Sequence, residues 1–141
     1  MNDDVEQFKR DLMSYSFHKR KMDELFLELE GINYKMSGAG TIPLSKVAPT
    51  VSPSVRSNIG LIERKDVLIS EYNMHRIVID YVDQHMDLID EEYREILSEK
   101  YIQRLRSEEI ESRHSYSRSQ INRICSRVIS EMLKKDAPLF G

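Results

Sequence analysis

The sequence predicts an all-α protein: two long coiled-coil-like helices joined by an irregular loop, followed by a C-terminal helix-turn-helix unit. Three observations carry this. Two stretches place apolar residues alternately three and four positions apart over about four heptads each. Proline and glycine gather mainly in the segment between them. From Asp90 onward the chain breaks into shorter amphipathic segments, the last of which has a sharply marked start.

The first seam runs through Val5, Phe8, Leu12, Tyr15, Lys19, Met22, Phe26 and Leu29, with Lys19 as its polar interruption. The second runs through Leu61, Lys65, Leu68, Tyr72, His75, Ile79, Val82, Met86 and Ile89. Polar groups at such positions (Lys19, Lys65, His75) select register at a cost in stability. The two helices either fold back on one another within a chain or pair between chains. Between them, Gly31 to Asn58 carries Ser37-Gly38-Ala39-Gly40 and prolines at 43, 49 and 53, which predicts a loop or linker. A loop of this length is either functional or mobile. It is not a phosphate-binding loop, because no Gly-Lys-Ser/Thr follows the glycines and no apolar strand precedes them. Thr41 to Val55 is apolar enough to dock on a partner, to lie along the helices or to form an ordered tether.

The next segment, Asp90 to Ile102, reads as a bracing helix with Ile96, Leu97, Tyr101 and Ile102 on its apolar stripe. Arg106 to Lys135 then reads as a short helix, a tight turn and a longer helix whose buried face is Ile121, Ile124, Val128, Ile129 and Met132. Ser117 with Gln120 three residues later forms a capping box at the start of that last helix. Ile110, Tyr116, Ile121 and Ile124 fill apolar positions of a helix-turn-helix. Three positions depart from that pattern: Glu111 in place of a small residue, His114 in place of an aliphatic one, and Ser115 where glycine usually supplies a left-handed turn. The plainer alternative is two packed helices of an all-α domain. The domain plan is a helical oligomerisation scaffold over 1–89 with its loop at 31–58, a DNA-binding unit over 90–136, and a tail at 137–141. In the tail, Leu139 and Phe140 either pin the end to the body or leave it free.

Charge is unevenly distributed. The whole chain is acidic, with 21 Lys+Arg against 24 Asp+Glu. Residues 1–99 hold 12 basic and 19 acidic side chains, whereas 100–141 hold 9 and 5. Such a basic end on an acidic body suits local contact with phosphates. On the last helix, Ser119, Asn122, Arg123 and Ser126 point away from the apolar face, and Arg118 and Arg127 flank it. Arginine can pair both acceptors of a guanine edge and asparagine can pair adenine. Arg123 and Asn122 are therefore expected to read bases, with Arg118 and Arg127 mainly on phosphates. Arg113 and Ser117 complete the expected DNA-binding set.

The run EEYREILSEKYI followed by EEIESRHSYSRSQINRI resembles the terminal DNA-binding region (region 4) of primary sigma factors, which recognises the promoter −35 element. It is more similar still to the ArpU-like and RinA-like activators of late genes from phages and prophages of Gram-positive bacteria. These join a helical N-terminal part to a sigma-like C-terminal region. The resemblance covers about 45 residues (90–135) and rests on Arg94, Ile96, Leu97, Tyr101, Glu109, Ile110, Ser117, Arg118, Ile121 and Ile124. It implies that Arg118, Ser119, Asn122 and Arg123 fall on positions that touch duplex DNA, and that RNA polymerase is a further partner. Sigma factors often carry an acidic residue at the position of Ser119 and an arginine at that of Asn122. These departures predict an operator other than the −35 consensus.

Catalytic and metal chemistry find little in the sequence. Cys125, the single cysteine, flanks the apolar face of the last helix and reads as a packing residue. His18, His75, His85 and His114 are dispersed, without the pairing a zinc site needs. Asp80, Asp83 and Asp87 share a helix face that could meet a cation but reads more simply as solvated. A non-enzyme without cofactor or metal is expected. One cysteine, no secretory leader and no apolar stretch of the ~20 residues a bilayer demands fit a protein of the bacterial host's cytoplasm, off the membrane. The expected function is sequence-specific double-stranded DNA binding in transcription regulation, by a homo-oligomer. The alternatives are a DNA-packaging protein of the terminase small-subunit type and a sigma-like interaction module that never touches DNA.

Overall fold

A computed structural model of the protein describes residues 2–37 and 53–136. These are helical throughout, with short turns and no strand: α1 (Asn2–Met36), α2 (Pro53–Met86), α3 (Glu91–Leu97), a π-helical turn (Ser98–Ile102), α4 (Ser107–His114) and α5 (Arg118–Asp136). The Gly38–Gly40 glycines, Pro43, Pro49, most of the Thr41–Val55 stretch and the tail with Leu139 and Phe140 lie outside the described residues. None of the described helices is long and apolar enough to cross a membrane.

Both ends of the expected loop are helical. α1 continues through Gly31 to Met36, with Lys35 in its last turn, where a cation complements the helix dipole. α2 begins at Pro53. Proline suits a first helical position, because its fixed φ is already helical and its missing N–H has no partner there. The third proline thus starts a helix, and the loop is shorter than 31–58.

The chain forms two compact units. One comprises Lys19–Ile77. There Leu25, Ile32 and Leu68 are buried together, with Leu29, Met36, Leu61 and Tyr72 packed around them, and Arg64 reaches Glu28 at 3.1 Å. In this unit α1 and α2 thus meet through apolar side chains of one chain. The second seam holds its register, since all its residues, from Leu61 to Ile89, are buried or half-buried. The first seam keeps Val5, Phe8, Leu12, Tyr15, Met22 and Leu29 buried or half-buried but shifts by one residue at two positions. Leu25 is 6% exposed while Phe26, expected on the seam, is 51% exposed. Likewise His18 is half-buried where Lys19, the expected polar member, is exposed. Leu25 and Ile32 are the side chains that close on Leu68, so aliphatic packing sets the register and the bulky ring is left outside.

The other unit comprises Met1–His18 and Val78–Gly141. Its core joins Val5, Phe8 and Leu12 of α1 and Val82 of α2 to Ile96, Leu97, Tyr101, Ile110, Ile121, Cys125, Val128, Ile129 and Met132. Phe8 also lies against the rings of Tyr81 and His85, at 5.9 and 5.7 Å. Each aliphatic side chain fully buried here contributes roughly 1.5–3 kcal/mol.

The bracing segment is not one α-helix. α3 ends at Leu97, and the chain widens so that the Gln103 N–H reaches Ser98 O, five residues back, at 2.8 Å. Arg104 then takes a left-handed backbone (φ 56°). Leu105 N–H closes on Glu99 O at 2.8 Å, and the Arg104 guanidinium donates to Met13 O at 3.1 Å. The turn between α4 and α5 has the expected conformation built on an unexpected residue. Ser115 is left-handed at φ 59°, ψ 36°, and its N–H bonds Glu111 O.

This last position yields a stability prediction. A residue with a Cβ is disfavoured in the left-handed region by roughly 1–2 kcal/mol, partly offset by the larger entropy glycine loses on folding. Ser115→Gly is therefore expected to stabilise the protein by about 0.5–1 kcal/mol, raising Tm by a few degrees. Thermal unfolding followed by circular dichroism measures it, and a lowered Tm would show that the serine hydroxyl holds the turn.

Candidate nucleic-acid interface

α5 is strictly two-faced. Ile121, Cys125, Val128, Ile129 and Met132 are buried in the core, with Ile124 half-buried at the edge. Arg118, Ser119, Asn122, Arg123, Ser126 and Arg127 are all exposed. The helix starts where the capping box predicts. Ser117 N–H donates to Gln120 Oε1 at 2.8 Å, and Gln120 N–H donates to Ser117 Oγ at 3.3 Å. Two first-turn donors are thereby satisfied. The Ser117 hydroxyl thus serves the cap.

Of the eight expected contact residues, Ser117 serves the cap and the other seven fall into three groups. Arg118, Ser119 and Arg123 are exposed, and no hydrogen bond or ion pair commits them to another described residue. Asn122, Ser126 and Arg127 are engaged within the protein: Lys100 Nζ donates to Asn122 Oδ1, Lys9 Nζ to Ser126 Oγ at 3.3 Å, and Arg127 to the Tyr93 hydroxyl at 3.4 Å while lying 5.9 Å from that ring's centroid. Arg113 stands apart on the last turn of α4, 3.8 Å from Glu99. Arg123 and Arg127 border a shallow pocket of about 370 Å³ with Tyr116, Gln120 and Ile124. The carboxylate of Glu92 beside it pushes the Tyr116 hydroxyl pKa upward.

Three polar residues of this region were missed in the sequence. Lys9 and Lys100 border the α5 face from α1 and the π-helical turn. Burial first of all, then the positive charges of Lys9 and Arg118, lowers the Lys100 pKa. Lys100 also lies 5.3 Å from the Tyr101 ring centroid. Glu99 is the third, only 3% exposed. His114 Nε2 meets its two carboxylate oxygens at 3.0 and 2.8 Å. The histidine that departs from the aliphatic pattern is thus the partner of a buried acid, and the pair ties the π-helical turn to the end of α4.

A larger cleft of about 620 Å³ lies on the same unit, bordered among others by Tyr15, Asp83, Arg94, Glu99, Arg113 and His114. Its polar groups are largely engaged with one another or with neighbours. Tyr15 donates to Asp83 at 2.7 Å, Glu99 holds His114 and Arg113, and Arg94 lies 3.9 Å from Asp87. α2 ends at Met86, so Asp87 is past the helix that carries Asp80 and Asp83. Among the described residues no group of three or more histidine, cysteine or acidic side chains could hold a metal ion. Cys125 is fully buried, and that burial raises its thiol pKa, which suits a packing residue.

No protein-family model, curated protein or solved structure matches this chain.

The buried pair supplies a second prediction. Removing one partner strands a buried polar group and typically costs 3–5 kcal/mol, whereas apolar replacement of both is far milder. Glu99→Ala is expected to destabilise by about 3 kcal/mol, and Glu99→Leu with His114→Leu by much less. Urea unfolding at neutral pH distinguishes the two. Equal losses in both variants would mean that packing volume, and not the polar pair, holds the π-helical turn to α4.

Proposed function

We propose that this chain is a non-catalytic, sequence-specific double-stranded DNA-binding regulator, of the kind found in phage and prophage late-gene control. One observation carries the reading. α5 starts at a capped N-terminus after a left-handed turn and turns a face with Arg118, Ser119 and Arg123, exposed and uncommitted, away from the core. Such a helix is suited to enter a major groove, with guanidinium groups available for guanine edges and phosphates. The similarity of residues 90–135 to sigma region 4 and to ArpU-like and RinA-like activators supports the same reading, and extends it to contact with RNA polymerase.

Self-association fits the Lys19–Ile77 unit. Its α1 and α2 expose apolar side chains that the core within the chain does not use, Leu27, Met74 and Ile77 each at 67–68%. A contiguous apolar patch marks a protein contact site, and on this reading these side chains contribute to one. A homo-oligomer would set the spacing of half-sites.

Selection of bound fragments from the source genome, followed by titration of the recovered site, tests the reading. A short promoter-proximal site is the expected result. A terminase-gene site bound by a large ring would favour the packaging alternative, and absence of binding at low salt the interaction module. On the recovered site, Arg123→Ala is expected to cost about 1–3 kcal/mol and to relax preference at one base pair. Arg118→Ala should weaken all sequences alike and lower the salt slope by about one. Unchanged affinity and preference in Arg123→Ala would remove that residue from base readout.

A further inference from the structure

Cations from three separate elements crowd one flank of α5. Lys9 comes from α1, Lys100 from the π-helical turn and Arg118 from the first turn of α5 itself. Lys9 Nζ is fixed at Ser126 Oγ, 3.3 Å away, and Lys100 Nζ at Asn122 Oδ1. Their only carboxylate partner among the described residues is Glu6, 3.3 Å from Lys9 and largely exposed, and an exposed pair of this type is worth little. Lys100 lies near enough to Lys9 and Arg118 for their charges to disfavour its own. Folding alone gains nothing from that repulsion, and an arriving anion relieves it. The Val5, Phe8 and Leu12 core anchors α1 in this unit, which makes Lys9 part of the surface despite its distance in sequence.

We propose that Lys9, Lys100 and Arg118 form a clamp for the phosphates of duplex DNA beside the α5 face, with Asn122 and Ser126 positioning the two lysines. This rests on the DNA-binding reading above and deepens it. It also gives Asn122 a positioning role. Its side-chain oxygen takes the Lys100 ammonium, whereas Arg123 is exposed and available to pair a guanine edge.

The number of phosphates engaged is read from salt dependence, since each contributes roughly 0.9 to the slope of log affinity against log salt. The probe is a fluorescein-labelled, random-sequence DNA duplex titrated with the full chain at several salt concentrations. Glutamine variants keep part of the side-chain stem and a hydrogen-bond donor while removing the charge. Lys9→Gln and Lys100→Gln are each expected to lower the slope by about one and the double variant by about two. Lys9→Arg and Lys100→Arg should retain the wild-type slope, which loss of a merely structural contact would not reproduce. A wild-type slope in the double glutamine variant, with Arg118→Ala still lowering it, would overturn the clamp and leave DNA binding standing. No salt-dependent binding by the wild type, even at low salt, would overturn both.

Discussion

Burial of one face of α5 is the constraint on which the rest of this unit depends. Ile121, Cys125, Val128, Ile129 and Met132 can be buried together only if the helix keeps a fixed rotation about its axis. That rotation sends Ser119, Arg123 and Ser126 outward and sets Arg118 and Arg127 at the flanks. The side chains that give α5 its chemical character are therefore positioned by residues that never leave the core. A large-to-small change at Ile129 or Met132 would disturb the outward face as surely as a change on it, since cavities in a packed core are only partly closed by relaxation.

Around that helix, local devices fix its start and its approach. The capping box sets the first turn of α5, and left-handed Ser115 sets the direction in which α4 hands over to it. The buried contact between Glu99 and His114 holds the π-helical turn against α4, which in turn brings Lys100 to the edge of α5. π-Helical turns within α-helices occur often at functional sites. Here the extra residue per turn aims Glu99 inward and leaves its neighbour Lys100 free to reach Asn122. On the proposed reading, one local irregularity serves both the stability of the unit and the composition of its surface.

Much of this was legible in the sequence, because periodicity and capping are local properties. The all-helical class, the buried stripe of α5, the Ser117–Gln120 cap, the position of the turn and the inward residues of the second seam all follow from spacing within a single element. What spacing could not supply was pairing between distant elements. Nothing in the first turns of α1 shows that Val5, Phe8 and Leu12 pack with Ile129 and Met132, or that Lys9 arrives beside Ser126. Glu99 and Lys100 were hidden within a run read as one α-helix, where the wider turn changes which side chain faces in. Phe26 was placed inward by heptad arithmetic, but a repeat says nothing of which neighbouring aliphatic side chain the opposing helix admits. His114 and Ser115 were visible as departures. Their partners and backbone angles, which account for them, were not.

Whether the outward face of α5 is the surface that meets duplex DNA is tested most directly by heteronuclear NMR of the full chain as a DNA duplex is added. Amide and side-chain perturbations are expected to concentrate on Ser117–Arg127, with the Arg118 and Arg123 guanidinium signals and the Lys9 and Lys100 ammonium groups among them, while amides of the Lys19–Ile77 unit stay near their free positions. Perturbations confined to the Lys19–Ile77 unit, or a spectrum unchanged by DNA at low salt, would contradict it.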